Sequence, residues 1–233
     1  MSSPPIENTV FTWRDFQTTK LYDVLTATPL ITVFGLSAAH LANGLWSDLA
    51  NASSLDLQLA ISLVRQLVAL TLLVLLMTFL VLRNPARAKA KGLMPRIAAL
   101  AGTYFAVAIA WLPRPELSLE LSLASLLLMV VGTGFTVYSI LHLGRSFSLM
   151  AEARRLVTDG PYAHIRHPLY LGEAVSLFGF MLQFFSPLAF LIYAVQIGFQ
   201  LVRMKNEEGV LEGLFPEYGA YRSRTARLIP GFY

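Results

Sequence analysis

Six stretches of apolar residues, separated by short polar connections, dominate the hydropathy pattern of this chain. They cover approximately residues 24–46, 57–82, 93–112, 119–143, 169–185 and 187–202. Apolar runs of roughly 20 residues cross the hydrocarbon core of a bilayer as α-helices. The pattern therefore predicts an all-α, polytopic integral membrane protein with five to six transmembrane helices.

The last two apolar stretches are short and meet at Ser186 and Pro187. Proline fits the first turn of a helix and interrupts a helix that would otherwise continue. The junction therefore predicts a C-terminal helical hairpin, and its two arms are short enough for the turn to lie within the bilayer.

Composition agrees with one membrane-embedded domain that covers residues 1–233. Hydrophobic residues make up 55% of the chain and charged residues only 14%, whereas a soluble domain carries about 25% charged residues. No cysteine is present, which excludes disulfides, thiolate metal sites and a cysteine nucleophile. The segment before the first apolar stretch is too long and too acidic for the start of a cleavable signal peptide. We expect four transmembrane helices in residues 1–143 and the chemistry in residues 144–233.

The distribution of charge predicts the orientation of the helices. The connection 83–96 has no acidic residue and five basic ones, so it should face the cytoplasm, whereas the connection 47–56 has two aspartates and no base. Alternation then places the N-terminus, residues 144–168 and the tail after Val202 in the cytoplasm. We therefore attribute the net charge of +4 to the basic residues that orient the helices in the membrane, and we expect no nucleic-acid partner. The absence of cysteine and the short loops are typical of a bacterial inner-membrane protein.

Residues 156–173 read LVTDGPYAHIRHPLYLGE and contain the first candidate site residues. Pro168 suits the first turn of the fifth helix, which leaves Arg166 and His167 at its N-terminus. Free backbone N–H groups and the helix dipole favour an anion at such a position. Tyr162 and Tyr170 add flat surfaces that stack on a base or a cation.

A second group of polar residues follows the sixth apolar stretch and includes the acidic pair Glu207 and Glu208. Because a hairpin returns the chain to the side it left, we expect this pair to lie beside Arg166 and His167. Aromatic faces, an anion-binding helix end and two carboxylates suit a zwitterionic ligand with an amino group, a carboxylate and a cationic centre. Glu173, about one turn into the fifth helix, is a further candidate for this site.

The pattern G-P-Y-x-x-x-R-H-P-x-Y-x-G, followed by the hairpin and then by E-E with F-x-x-Y-x-x-Y, resembles the isoprenylcysteine carboxyl methyltransferase family. The related phospholipid methyltransferases share this arrangement, and L-G-R-S-F (143–147) and the terminal R-L-I-P-G-F-Y are also similar to bacterial members. The resemblance covers roughly residues 141–233. The matching residues are Gly160, Pro161, Tyr162, Arg166, His167, Pro168, Tyr170, Gly172, Glu207, Glu208, Phe215, Tyr218 and Tyr221.

The resemblance implies an S-adenosylmethionine site between the loop before the hairpin and the polar stretch after it. It implies a methyl acceptor that is lipophilic or delivered by the membrane, such as a carboxylate, which needs no general base. Arg166 and Glu208 would be catalytic, and no metal is expected. The implied cofactor-binding residues are Gly160, Pro161, Tyr162, His167, Pro168, Tyr170, Glu207 and Glu208.

Other interpretations of these residues remain open from the sequence. Arg166 and His167 are also typical of a basic anchor for anionic headgroups, and Tyr162 and Tyr170 of an aromatic belt. Sterol reductases, which use NADPH, carry a similar stretch but have more helices. A transporter or scaffold is the third alternative, although a transporter should place its polar residues at mid-membrane depth.

Overall fold

The computed structural model describes residues 19–52, 54–113, 115–148 and 150–231, and these form a helical bundle. The chain before residue 19 and the last two residues of the terminal motif lie outside this range. The elements in chain order are α1 (Lys20–Ala50), α2 (Leu57–Leu82), β1 (Ala88–Lys89), α3 (Met94–Tyr104), a 3₁₀ helix (Phe105–Trp111), α4 (Leu119–Leu143), a 3₁₀ turn (Gly144–Ser146), β2 (Glu152–Ala153), a second 3₁₀ turn (Gly160–Ala163), α5 (Pro168–Leu182), α6 (Pro187–Leu214) and α7 (Tyr218–Ser223).

Four helices in the described ranges are long and apolar enough to cross a membrane: α1, α2, α6, and α4 with its 3₁₀ extension. The prediction of a polytopic helical membrane protein is therefore confirmed. Two of the six predicted segments differ from simple spans. The third changes from α to 3₁₀ geometry after Tyr104. The fifth, α5, has 15 residues, so it is about 22 Å long and reaches only part of the way across a core of about 30 Å.

Capping residues explain why two helices begin where the apolar pattern predicts. Asp56 accepts a hydrogen bond from the backbone N–H of Leu59 (2.7 Å), which fixes the start of α2. Ser118 accepts from the N–H of Leu121 (3.3 Å) at the start of α4. The hairpin junction is also confirmed, since Ser186 is the N-cap of α6 and Pro187 is in its first turn.

The end of α6 differs from the prediction. Its apolar run stops at Val202, but the helix continues to Leu214, and an ion pair between Arg203 and Glu207 (3.2 Å) supports the polar part. Glu207 and Glu208 therefore lie on α6 itself and not beyond it. Their positions relative to each other are consequently fixed by helical geometry.

Small residues allow α4 and α5 to pack with their backbones in contact. A Cβ atom at Gly132 of α4 would lie 2.7 Å from the carbonyl oxygen of Gly172 and 2.8 Å from the Cα of Ser176, both on α5. Thr133 and Ser176 share a buried hydrogen bond of 2.8 Å between their hydroxyls. This is the small-residue packing by which membrane helices approach closely, and it fixes the start of α5 relative to α4.

Three of the four segments predicted to share one side of the bundle are joined there by direct contacts: the start of α1, the connection after α2 and the segment after α4. β1 and β2 pair antiparallel, with Lys89 opposite Glu152. Buried Asp23, near the start of α1, forms ion pairs with Arg83 (2.7 Å) at the end of α2 and with Arg154 (3.1 Å) after β2. These contacts bring the first helices against the segment that follows α4.

Replacement of Gly132 by alanine should destabilise the protein by about 1–3 kcal/mol, because the added methyl group meets α5 backbone that cannot move aside. Gly134 of the same helix is the matched control, since a Cβ atom there has no neighbour within 4 Å. Gly134→Ala should be neutral or stabilising, because alanine is the better helix former. Thermal unfolding of both variants in one detergent measures the difference, and equal melting temperatures would contradict the packing described for α4 and α5.

Candidate functional site

The carboxylate of Glu208 joins the two flanks of the hairpin. Its Oε1 atom accepts hydrogen bonds from Nε of Arg166 (2.9 Å) and Nε of Arg227 (3.1 Å) and lies 3.3 Å from Nε2 of His167. A terminal nitrogen of Arg227 also donates to Oε2 (2.6 Å). Glu208 is only 4% exposed, so these cations replace the water that a carboxylate requires. The structure thus brings Arg166 and His167 beside the acidic pair, as the hairpin prediction required.

Glu207 is the centre of a second polar group on the same side. It accepts hydrogen bonds from the hydroxyl of Tyr170 and from Nε of Arg203 (3.2 Å). The guanidinium of Arg203 lies 4.8 Å from the centre of the Tyr170 ring, a cation–π distance. His167 completes the group, with Nδ1 3.9 Å from Oε2 of Glu207. Arg203 was not among the predicted site residues, although its i, i+4 spacing from Glu207 pointed to it.

The C-terminal tail pairs with the backbone of the segment just before α5. The N–H of Arg166 donates to the carbonyl of Ala226 (2.8 Å), and the N–H of His167 donates to that of Arg227 (3.1 Å). In return, the N–H of Ala226 donates to the carbonyl of His164 (3.1 Å). The tail thus pairs with this segment as a short parallel bridge, and the N–H groups of Arg166 and His167 are not available to a ligand, whereas the anion site predicted at the first turn of α5 stays a prediction.

A cavity of about 90 Å³, partly open to solvent, lies beside these residues. This volume is smaller than that of most ligand pockets, which measure roughly 300–1,000 Å³. Five of the predicted site residues line it: Tyr162, Arg166, His167, Tyr170 and Glu207. Motif residues from both flanks of the hairpin therefore share one cavity.

The other predicted site residues, Gly160, Pro161, Pro168 and Glu208, are not among the residues that line this cavity. Gly160 has φ +56°, and a Cβ atom there would collide with the ring of His142. It therefore shapes a turn that packs against α4. Pro168 begins α5, and Glu208 holds the cationic side chains around it. These residues therefore contribute to the site by holding the neighbouring side chains in position.

Part of the cavity wall was missed at the sequence level. The cavity is also lined by Ser148, Glu152, Arg154 and Arg155. From the sequence, the charged residues before Tyr162 indicate only the orientation of the helices in the membrane. Glu152 accepts hydrogen bonds from the hydroxyl of Ser148 (2.9 Å) and from Arg154 (2.8 Å). Burial favours a higher pKa for Glu152, but the charges of Arg154 and Lys89 outweigh it and hold that pKa below its ordinary value.

The tyrosines of the cavity are neutral hydrogen-bonding groups. Burial, reinforced by the charge of Glu207, raises the pKa of Tyr162 well above its ordinary value. Burial also raises the pKa of Tyr221 to about 12, and the hydroxyl of Tyr221 donates to the backbone carbonyl of Tyr162 (2.8 Å). These side chains therefore offer the cavity aromatic surface and fixed dipoles, and no negative charge near neutral pH.

Fold and site together define a polytopic helical membrane protein with a cavity, lined by both polar and apolar side chains, at one end of its bundle. Residues 125–213 of the chain match the isoprenylcysteine carboxyl methyltransferase family. The resemblance inferred from the motifs is thereby confirmed. The match begins before residue 141, where the motifs alone had placed it, and so includes most of α4.

Individual curated relatives also match part of the chain. The protein-S-isoprenylcysteine O-methyltransferase of Schizosaccharomyces pombe is 32% identical over 94 residues, which are 37% of this chain and 40% of that protein. Protein-S-isoprenylcysteine O-methyltransferase B of Arabidopsis thaliana is 30% identical over 112 residues, or 45% and 57% of the two chains. The nickel-cobalt-cadmium resistance protein NccN of Alcaligenes xylosoxydans xylosoxydans is 33% identical over 81 residues, or 34% and 38%. The matched regions thus cover between 38% and 57% of these relatives' own lengths.

Glu208→Gln should destabilise the protein by about 3–5 kcal/mol, because it leaves buried cationic groups without their counter-charge. Glu212→Gln is the matched control on the same helix, since the side chain of Glu212 is 56% exposed and forms only a surface ion pair with Arg222. Its effect should stay within about 1 kcal/mol. Thermal unfolding of the purified variants in detergent checks both values. Similar losses in the two variants would mean that Glu208 does not hold the hairpin flanks together.

Proposed function

We propose that this protein is an S-adenosylmethionine-dependent methyltransferase that acts on a lipophilic acceptor delivered by the membrane. The observation that carries the proposal is the gathering of Tyr162, Arg166, His167, Tyr170 and Glu207 on one cavity. These are the residues of the motif that resembles the methyltransferase family, and their region lies within the family match. The chain matches only 38% to 57% of the length of the relatives named above, so the activity of the whole protein is a proposal.

The chemistry of the cavity suits the methyl donor. Glu207 lines the cavity and its side chain keeps 17% of its surface accessible, so its carboxylate can accept hydrogen bonds from the amino or ribose groups of the cofactor. Tyr162 and His167 supply faces for contact with it. Arg155, which also lines the cavity and is exposed, offers positive charge to its carboxylate. When bound, S-adenosylmethionine supplies a methyl group on a cationic sulfur.

The residues of the chain would then act mainly by placing the reactants. The Tyr170 hydroxyl and Arg203 hold Glu207 in one orientation, and Glu208 does the same for Arg166 and His167. We therefore assign Glu208 as a positioning residue. In-line displacement at a methyl group depends strongly on alignment and on removal of water, and a buried, hydrogen-bonded frame supplies both.

The apolar part of the cavity wall indicates how a lipophilic acceptor would enter, and the basic residues near the cavity indicate which side of the membrane it faces. The apolar side chains of Leu143, Leu156, Val157, Leu169 and Leu211 line the same cavity, which suits an acceptor with a hydrocarbon tail.

The side of the bundle that carries the cavity also carries the basic connection 83–96, so we assign it to the cytoplasm. The short loops favour a bacterial inner membrane.

Binding of the methyl-donor product should distinguish this function from a reductase. S-adenosylhomocysteine at 100 times its Kd should stabilise the folded state by about 2.7 kcal/mol, since a ligand specific for the native state raises stability by mass action. NADPH at the same concentration should leave the melting temperature unchanged. Stabilisation by NADPH alone would favour the sterol-reductase interpretation and remove the methyltransferase one.

Methyl transfer itself is tested with methyl-labelled S-adenosylmethionine, the purified protein and a native lipid extract. Label should appear in the organic phase, and His167→Ala should reduce it about 100-fold, the effect of a misplaced reactant. His164→Ala is the matched control, because His164 lies three residues earlier in the same segment but is exposed. Absence of both label and S-adenosylhomocysteine binding in the unmodified protein would refute the proposed function.

A further inference from the structure

A second cavity lies at the end of the bundle opposite to the first one. It is formed where α2 and α4 begin and where α5 ends, whereas the first cavity lies beside the other ends of α4 and α5. Its volume of about 370 Å³ is within the range of ligand pockets, roughly 300–1,000 Å³. The second cavity is lined by Gln58, Arg65, Glu116, Leu117, Ser122 and Gln183 among others. The described residues that line the two cavities do not overlap, so the second cavity is a separate candidate site.

Arg65 gives the second cavity a positive charge within the membrane-spanning part of α2. It lies eight residues after Leu57, which is about 12 Å along the helix. The other residues of α2 carry no charge. A charged side chain at such a depth is unfavourable in hydrocarbon and normally faces polar groups or a water-filled space. The second cavity provides this space, and a long arginine side chain can extend through it towards the membrane surface.

Two uncharged side chains of the wall are available for hydrogen bonds to a ligand. Ser122 is only 3% exposed, yet within the described part of the chain its hydroxyl has no hydrogen-bond partner. The side-chain amide of Gln183 donates to the sulfur of Met129 (3.1 Å), and no described residue donates to its oxygen. Buried hydroxyl groups are normally hydrogen-bonded. Ser122 therefore indicates that the second cavity receives a polar ligand.

The charges of the wall indicate a ligand with one anionic and one cationic group. Among the described residues, Arg65 is the only base and Glu116 the only acid that line the second cavity. Glu116 is exposed and precedes α4, so its carboxylate lies near the mouth, whereas Arg65 lies deeper. Arg114, close to Glu116 in sequence, is outside the described residues. The other acids at this end of the bundle do not line the cavity: Asp48, Asp56 and Glu120.

The surroundings of the second cavity are apolar, which favours a lipid over a water-soluble ligand. Leu57 is exposed on the first turn of α2, and Leu119 and Leu123 are exposed on the first two turns of α4. In a chain that spans a membrane, such side chains contact acyl chains. A ligand in the second cavity can therefore place a polar headgroup inside and hydrocarbon tails outside.

We propose that the second cavity binds a phosphate–ammonium zwitterion, the headgroup of a phospholipid from the leaflet that faces away from the methyl-donor site. Its phosphate contacts Arg65 and Ser122, because a guanidinium and a hydroxyl group are good donors to phosphate oxygens. Its ammonium group lies beside Glu116. In such a lipid the phosphate is nearer to the acyl chains and the ammonium group nearer to water, which matches the depths of Arg65 and Glu116. The inference is independent of the proposed methyltransferase function.

The test measures lipid binding to the full chain in detergent, with short-chain phosphatidylethanolamine as the probe. Dissociation constants follow from the dependence of the melting temperature on lipid concentration, relative to each variant without lipid. Phosphatidylglycerol of equal chain length has the phosphate but no ammonium group, and it should bind about threefold to fivefold more weakly, the effect of an exposed ion pair. Free phosphoethanolamine at the same concentrations should leave the melting temperature unchanged.

Four variants assign the contacts. Arg65→Gln and Ser122→Ala should each weaken the binding of both lipids about tenfold or more, the effect of losing a hydrogen bond to a charged group, and Arg65→Lys should retain part of the affinity. Glu116→Gln should remove only the preference for phosphatidylethanolamine. Glu120→Gln, which changes an exposed acid of α4 outside the cavity wall, should change neither affinity.

The contrary outcomes are equally specific. Unchanged affinities in both Arg65→Gln and Ser122→Ala would show that the lipid binds elsewhere and would overturn the inference. Equal binding of the two lipids by the unmodified protein would remove the ammonium site at Glu116. Stabilisation by free phosphoethanolamine as strong as that by the lipid would overturn the assignment to a phospholipid.

Discussion

A carboxylate taken out of water needs counter-charges at fixed positions, and the arrangement around Glu208 meets this requirement with groups from two distant parts of the chain. Arg166 and His167 come from the segment before α5, and Arg227 comes from the tail. Loss of the Glu208 carboxylate would leave the buried arginines around it without a counter-charge, which is far less favourable than an intact network. The turn into α5, the path of the tail and the wall of the cavity all depend on this interaction.

The close packing of α4 on α5 explains why the family match extends upstream of the motif. Ser125, the first matched residue, donates a hydrogen bond to the carbonyl of Gly179 (2.8 Å), and Gly132 meets the backbone of Ser176. These α4 residues contribute little recognisable chemistry, yet they determine where α5 begins and hence where its first turn presents His167. Positions that set a backbone-to-backbone distance are as restrictive as those that contact a ligand.

Local signals were sufficient to predict much of the fold but only part of the site. The bounds of α2 and α4 followed from apolar runs, and the hairpin from Ser186 and Pro187. The end of α6 did not, because side-chain pairs and not hydropathy sustain its last turns. Pairing of the tail with the Arg166–His167 segment, and contact of Asp23 with Arg154, join residues far apart in sequence. No local pattern reveals such contacts, since they depend on the packed bundle.

The same helical spacing that frames the cavity also separates two carboxylates that sequence alone would treat as equivalent. Glu207 faces the cavity and is neutralised by Arg203, whereas Glu173 lies one turn below Tyr170 and is bonded by the amide of Gln200. Glu207 thus combines a cationic partner with a place in the cavity wall, whereas Glu173 has a neutral partner and is not among the residues that line the cavity. Because Arg203 and Gln200 both lie on α6, the geometry of this one helix determines where each of the two acids is held.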